Sequence, residues 1–543
     1  MLIRRTVRTL FTLAVGLGAL VAVPSTLAAV CPPTWEVVAT PSYATGEDTF
    51  NSASVVSDTD IWASGQSDAG GFVQHWDGTS WTTRLGPIGT DNYYGIASAG
   101  SDVWVVGEFV TSTGDFKTRI RRWDGVSWTT TPSPSPGKDA RLEAVAALAP
   151  NDVWAVGQFD GPATLDSEPL ILHWNGASWQ TSTAPVPSGG INGFLASVVA
   201  KAANDVWAFG RYLDGSTEST LVMHWNGSSW SSTQGANTSV DRNVLQGGAA
   251  LASNDVWAAG FSEDWPTKSL INHWNGTSWS AATGLPASPG ADHLAGVAAL
   301  GRQDVWAVGS FNDSTALVRT LVLHWTGASW RTFVSPNVSS GYEGFRAVAS
   351  TPGGNLWALG GRQNGLATLA ERLCPIKVRD SGFSVSTATV RQASAVAWSF
   401  PSYNLAGHSV VDDSGLNLFG SAVTAPGGSY FFRFNAAGTY PVVDPGTPGS
   451  SSIAVPLIVG PAPGLAANVR WSAAAPPAGL VFDVQVRKPA TLSYTNWKSG
   501  VTTLSGTYTA ASAGTYRFRA RLRDPSAGGQ ASDWSPIAAF LIN

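Results

Sequence analysis

Cysteine, methionine and histidine are scarce in this chain, at two, two and seven of 543 residues. Charge is thin too: 13% of residues, with a formal net of −5 and no basic run or stripe. That dispersed, slightly acidic balance argues against nucleic acid as a partner. Beyond the first thirty or so residues no apolar run reaches spanning length, so no membrane span is expected in the mature chain. With so few imidazoles and thiols, and none clustered, neither a metal nor another cofactor is expected. What the chain does hold is Gly (59), Trp (25) and much Ser, Thr, Asn and Pro. Such a composition suits many short strands and tight turns, and the length calls for three or more folding units.

The N-terminus reads as an export signal over residues 1–29. Arg4, Arg5 and Arg8 form a basic start, Leu10 to Val23 an apolar stretch, and small residues follow at Thr26, Ala28 and Ala29. The mature protein is therefore expected to be secreted or held at the cell surface. An even cysteine count in that setting favours a disulfide between Cys31 and Cys374.

Between Asn51 and Leu373 one phrase returns seven times: NDVWAVG, a variable stretch, then HWNGSSW. Its first Trp falls at Trp62, Trp104, Trp154, Trp207, Trp257, Trp306 and Trp357. A period of about 50 residues marks a repeat architecture. Each copy offers four strand-like segments; in the third they are LEAVAAL, DVWAVGQF, LILHW and SWQTST. Asn175-Gly176 and its counterparts Asp77-Gly78, Asn226-Gly227 and Asn275-Gly276 supply hairpin turns between the last two. Four-stranded antiparallel units at this spacing imply propeller blades.

Twenty of the 25 Trp lie at three repeated places, and strict repetition favours packing over sugar stacking. The repeated Asp152, Asp205 and Asp255 read as turn residues bonding their own backbone. The recurrent His at 75, 173, 224, 273 and 324 is spread round a ring, which argues against a shared metal. The last copy stops before its SW strand, and Trp35 of the N-terminal CPPTWEVV stands where the missing Trp belongs. One unit is thus expected to be built from both ends, with Cys31 and Cys374 at its two sides.

The DVWAVG and HW(D/N)GxSW phrases resemble the seven-bladed β-propellers of the kelch-like and Asp-box kind, over about residues 31–376. True kelch repeats carry a Gly-Gly pair where these carry a lone Gly. In this topology the DVW and NG turns share one face, and the variable loops share the other. Function generally sits on variable loops held by a rigid scaffold. The inner rim of the variable face holds Asp91, Tyr93, Arg141, Asp241, Arg242, Asp292, His293, Tyr342, Glu343 and Arg346 as candidate ligand-binding residues. Propeller sialidases use a Tyr–Glu pair with arginines, and Tyr342-Glu343 with Arg141, Arg242 and Arg346 could be assembled that way. No motif anchors such a site, and no catalytic residue is assigned.

Residues 378–460 resemble the cupredoxin (plastocyanin-like) family through Gly407-His408-Ser409-Val410, Asp412, Ser421 and Ala437-Gly438-Thr439-Tyr440. The resemblance implies a Greek-key sandwich and makes His408 a copper ligand. By offset Asp444 stands where the Cys ligand belongs, Thr447 at the second His and Ser450 near the Met, so the copper site reads as lost. Pro461 to Gly464 reads as a linker. Residues 461–543 resemble a fibronectin type III sandwich, with Trp471, Phe482, Val484, Trp497, Tyr516, Phe518, Arg519 and Trp534 as its marks. Alternation in YRFRARLR places Arg517, Arg519, Arg521 and Arg523 outside as a solvated face.

The expectation is an all-β protein: a seven-bladed β-propeller followed by two β-sandwiches. The module types imply a monomeric, non-catalytic binding or adhesion protein whose partner is an extracellular carbohydrate or protein. Two rivals remain: a glycoside hydrolase or lyase in the propeller funnel, and a copper electron-transfer protein.

Overall fold

The computed structural model describes residues 33–43, 48–161, 167–263, 265–362, 367–447, 449–526 and 528–543. These belong to a compact unit spanning Cys31–Asn543. The expected export signal lies outside the described residues. So does Cys31, and with it the expected bridge to Cys374.

Every regular element among the described residues is a β-strand. The repeat folds as anticipated. Its third copy forms Ala140–Ala149, Asp152–Asp160, Ser167–Trp174 and Trp179–Ser182, paired antiparallel in that order. We label the four-stranded repeats I to VII, beginning at Thr49, Asp91, Ala140, Ile191, Arg242, Asp292 and Glu343. The first strand of each touches the first strand of the next, and that of VII touches that of I. The arrangement is a closed, propeller-like cycle. Repeat VII takes its outer strand from the other end of the chain: Glu36–Val38 pairs antiparallel with Ala367–Leu373, Glu36 opposite Arg372.

Tryptophans fill the joints between repeats. Trp154 of III packs on Trp225 at 5.1 Å and Trp230 at 5.4 Å, both of IV. The same trio recurs at the other joints, except VI to VII. There Trp35 takes the outer-strand place, edge-on to Trp306 at 6.1 Å. Offset and edge-to-face aromatic pairs add about 0.5–1.5 kcal/mol each beyond their buried area. The repeated His and Asp belong to this joint as well. The Asp205 carboxylate accepts from Trp207 Nε1 at 2.8 Å and meets His224 Nε2 at 2.9 Å, and His224 stacks on Trp207 at 4.0 Å. This corrects the turn-residue reading. The Asp side chain clasps a Trp and a His, whereas backbone N–H groups are satisfied by the hairpin Asn, such as Asn175 Oδ1 from Ala177 and Ser178. In II, Arg122 replaces the His, reaching Asp102 at 2.6 Å and lying over Trp104. In VII, Arg372 turns to Glu36 at 2.6 Å, tying the borrowed strand in.

Two further pairs of sheets follow. The first pair encloses Trp398, Phe400, Phe434, Tyr440 and Ile453. Its Ala395 and Ala397 join the apolar cluster around Trp35 and Trp306, and Ala397 N donates to Pro33 O at 2.9 Å. The second pair encloses Trp471, Phe482, Tyr516 and Phe518. Pro461 to Gly464 is not a free linker: Ile458–Ala462 is a strand in a hairpin with Ala466–Arg470. The two pairs of sheets also bridge directly through Thr439 with Asp533 and Ala436 with Ser472. The alternation in Gly514–Arg523 holds, with Tyr516, Phe518, Ala520 and Leu522 buried. Its arginines are not a free solvated face, however. Arg521 and Arg523 pair with Asp483, and Arg519 lies between the rings of Tyr494 and Trp534 at 4.1 and 4.5 Å.

Candidate functional site

All seven first strands break register at the same point. The ladder jumps from Phe50 to Ser52, Tyr93 to Gly95, Leu142 to Ala144 and Leu195 to Ser197. It jumps likewise from Leu245 to Gly247, Leu294 to Gly296 and Phe345 to Ala347. A β-bulge leaves one residue unpaired and re-aims it. The residues so released are Asn51, Tyr94, Glu143, Ala196, Gln246, Ala295 and Arg346, and all seven line one cavity of ≈ 390 Å³ with Phe194, His293, Tyr342 and Phe345.

The sequence builds this bulge with two small residues. One is the lone Gly of each DVWAVG, opposite the residue before the bulge. A Cβ on Gly260 would sit 1.9 Å from Val244 O, and one on Gly210 1.9 Å from Phe194 O. The other follows the bulge: Ser52, Gly95, Ala144, Ser197, Gly247, Gly296 or Ala347. These positions face neighbouring first strands, and a Cβ on Gly247 would fall 2.8 Å from Gly296 Cα. Close approach round the axis therefore excludes larger side chains there.

The cavity mixes aromatic faces with planar polar groups. Arg346 Nη1 donates to Asn51 Oδ1 at 3.2 Å. Tyr94 Oη donates to Glu108 Oε1 at 3.0 Å, and burial pushes its phenol further up than the Glu108 charge beside it does. Glu143 meets Arg141 at 2.7 Å; burial still lifts its carboxyl above the ordinary range, Arg141 opposing and Glu108 adding. Burial also lowers the His293 imidazole, with Asp292 opposing and Arg346 assisting, so the ring is neutral at neutral pH. The lining thus offers rings to stack on, an amide pair, a neutral imidazole, and carboxyl and guanidinium groups.

Among the residues anticipated from sequence, His293, Tyr342 and Arg346 line this cavity, and Arg141 reaches it through Glu143. The others have different surroundings. Asp91 is buried, accepting from Tyr93 Oη at 2.9 Å and pairing with Arg119 and Arg121; Tyr93 is buried with it. Arg242 bridges Glu218 and Glu263, and Asp241 is an exposed residue whose carbonyl accepts from Glu218 N. Asp292 accepts from Ser269 N at 2.5 Å. Glu343 is fully buried and takes the N–H groups of Val338 and Ser339 at 3.0 and 2.6 Å, so its carboxylate is committed to its own loop. Asn51, Tyr94, Glu143, Phe194 and Gln246 were missed. Their signal was a bulky apolar residue, a variable one and a small one, as in LEA, LQG and FRA.

The copper ligands implied by the cupredoxin resemblance do not assemble. His408 is buried, with Nδ1 2.7 Å from Asp444 Oδ2 and Nε2 2.9 Å from Asp380 Oδ1. Thr447 Oγ1 donates to Asp444 as well, at 3.1 Å. Both imidazole nitrogens are committed to carboxylates and, among the described residues, no thiolate stands beside them, so these residues do not fit a blue-copper centre. Burial opposes the Asp444 charge, but hydrogen bonds from Ser409 N–H and His408 outweigh it and hold the carboxyl low.

No family model matches this chain, and no curated protein matches it. A solved structure of the SapL1 lectin in complex with alpha methyl fucoside is similar in part, with TM-score 0.35 and 16% identity over 54% of this chain and 98% of that one. Likeness at that level assigns neither a family nor a ligand.

Proposed function

We propose that the protein is an exported, non-catalytic binding protein that takes a carbohydrate in the axial cavity of a seven-bladed β-propeller, residues 31–376. Cupredoxin-like (378–460) and fibronectin type III-like (461–543) sandwiches complete it, and a Cys31–Cys374 disulfide closes the ring. The observation that carries the binding site is the convergence of all seven bulged residues, with four aromatic side chains beside them, on one cavity. Aromatic rings stack on the apolar face of a sugar, while Asn51, Gln246 and Glu143 match hydroxyls that both donate and accept. Closed contacts among the first strands support the propeller reading, and the strand borrowed from the N-terminal end supports closure at that point.

The test is a glycan panel read by titration calorimetry with Phe194→Ala and Gln246→Ala. Each should weaken the best ligand at least tenfold while melting temperature holds within a few degrees. Undiminished binding in both variants would remove the cavity from consideration. One observation favours hydrolysis as a second reading: Glu143 is a half-buried carboxyl whose pKa desolvation holds up, as a general acid requires. Mass analysis of the bound glycan after prolonged incubation decides it, because cleaved product means an enzyme and intact ligand means a binder.

A further inference from the structure

Charge is matched almost everywhere on the variable face. Arg119 and Arg121 pair with Asp91, Arg141 with Glu143, Arg211 and Arg242 with Glu218, and Arg319 with Asp313. Two arginines break the pattern. Among the described residues Arg346 has only the Asn51 amide oxygen, and Arg362 has no carboxylate, its Nε being buried without a hydrogen-bond partner. Both line a second cavity of ≈ 380 Å³ where repeats VII and I meet, walled also by Gln66, Asn92 and Tyr342. Tyr342 and Arg346 line the axial cavity too, so the two spaces share a wall.

The acidic residues of that wall do not neutralise the pair. Asp48 accepts at Oδ2 from Tyr43 N at 2.6 Å and Ser42 Oγ at 3.0 Å while its buried Oδ1 has no hydrogen bond, and among the described residues neither Asp48 nor the exposed Asp68 forms an ion pair with either arginine. Arg346 is exposed and Arg362 half-buried; a planar carboxylate or sulfate would give both guanidiniums the anion they lack, with paired N–H donors.

Building on the carbohydrate reading above, we propose that the ligand is an acidic glycan. One sugar occupies the axial cavity, and the carboxylate or sulfate of an adjoining residue sits between Arg346 and Arg362. Neutral sugars of the same backbone would fill the axial part and leave the arginines unanswered.

The probes are uronate oligomers of gluco, galacto and manno configuration, each with its methyl ester, and sulfated and unsulfated galactan oligomers, titrated into the full chain. At least one acidic member should bind ten or more times tighter than its neutral partner. Arg346→Gln and Arg362→Gln should each reduce that affinity about 10- to 100-fold, the range for losing a charge-assisted hydrogen bond. Arg362→Lys, which keeps the charge but not the fork, should retain part of it. Added salt should weaken the acidic ligand and spare the neutral one. Uronate against sulfate identifies the anion. If neutral and acidic members bind equally, or folded Arg346→Gln and Arg362→Gln bind as the parent does, the acidic assignment falls and the axial site stands. If no member binds, the carbohydrate reading falls with it.

Discussion

Gly260→Ala tests the link between the repeat's lone glycine and the axial bulge. The Cβ it adds would lie 1.9 Å from Val244 O and 3.0 Å from Leu245 Cα. An ordinary carbon–oxygen contact needs at least about 3.2 Å, so the strands must part by more than an ångström. The obstacle is backbone, and no rotamer change relieves it. Overpacking of this kind costs about 1–3 kcal/mol where side chains can yield. With main chain on both sides, the upper end of that range is expected. Thermal unfolding followed by Trp fluorescence reads the loss, which should reach several degrees. The displaced strand carries Gln246, so the affinity of the axial ligand should fall in the same variant. Gly460→Ala is the control, since nothing lies within 4 Å of a Cβ there. If Gly260→Ala melts with Gly460→Ala and binds as the parent does, the glycine does not hold the bulge.

Three other outcomes follow from the same geometry. Trp35→Ala should destabilise the ring by about 3–5 kcal/mol, as loss of a buried Trp does; denaturant titration measures it, and a change under 1 kcal/mol would unseat Trp35 as the closing residue. Burial, reinforced by the Glu343 charge, lifts the Glu371 carboxyl well above its ordinary range, and neither of its oxygens has a hydrogen-bond partner among the described residues. The folded state therefore keeps a proton the unfolded state has released, so stability falls as pH rises from the ordinary carboxylate value to the raised one. That slope is no steeper than about 1.4 kcal/mol per pH unit. Glu371→Gln should remove it, and parallel stability–pH curves for the two proteins would refute this. Asp380 and Asp444 have the opposite sign: both carboxyls are held low, so the support they give through His408 is lost as pH falls below the ordinary Asp value. His408→Ala should shrink that acid-side loss.

The scaffold was legible in the sequence because its residues recur. Trp207, His224 and the Asn226-Gly227 turn occupy equivalent places in most repeats, and identical places in a repeat meet identical neighbours. Trp35 could be placed by the gap it fills. The role of Asp205 was misread, because Asp two residues before a Trp signals a turn locally, and its bond to His224 comes from the paired strand. The site was half legible. Choosing rim residues by their place before each innermost strand selected Asp91, Arg242 and Glu343, whose charges are satisfied by neighbouring side chains and loops. Gln246 and Tyr94 were overlooked because alternation assigns the residue after Leu245 or Tyr93 to the opposite face. A bulge reverses that assignment, and its markers, Gly247 and Gly260, stand on two different strands.

This division bears on how many ligands one chain should bind. On the repeated face the Asp–His–Trp clasp recurs in I, IV, V and VI, III keeps the Asp152–His173 pair without the Trp bond, and a space of ≈ 400 Å³ opens beside His273, Asp255 and Trp325. Were sugars bound there, several equivalent sites would follow. The axial lining instead differs from repeat to repeat: Glu143 in III, Ala196 in IV, Gln246 in V, Ala295 in VI and Arg346 in VII. Small residues in IV and VI leave Phe194 and His293 exposed to the cavity, while II and III crowd it with Tyr94 and Glu143. A lining so asymmetric can orient one molecule in one way, so calorimetry should return one ligand per chain. Phe194→Ala and Gln246→Ala should then lower affinity without changing that number. A stoichiometry of several per chain, insensitive to both variants but sensitive to His273→Ala, would move the site to the opposite face. The repeated tryptophans would then hold the ligand as well as the fold.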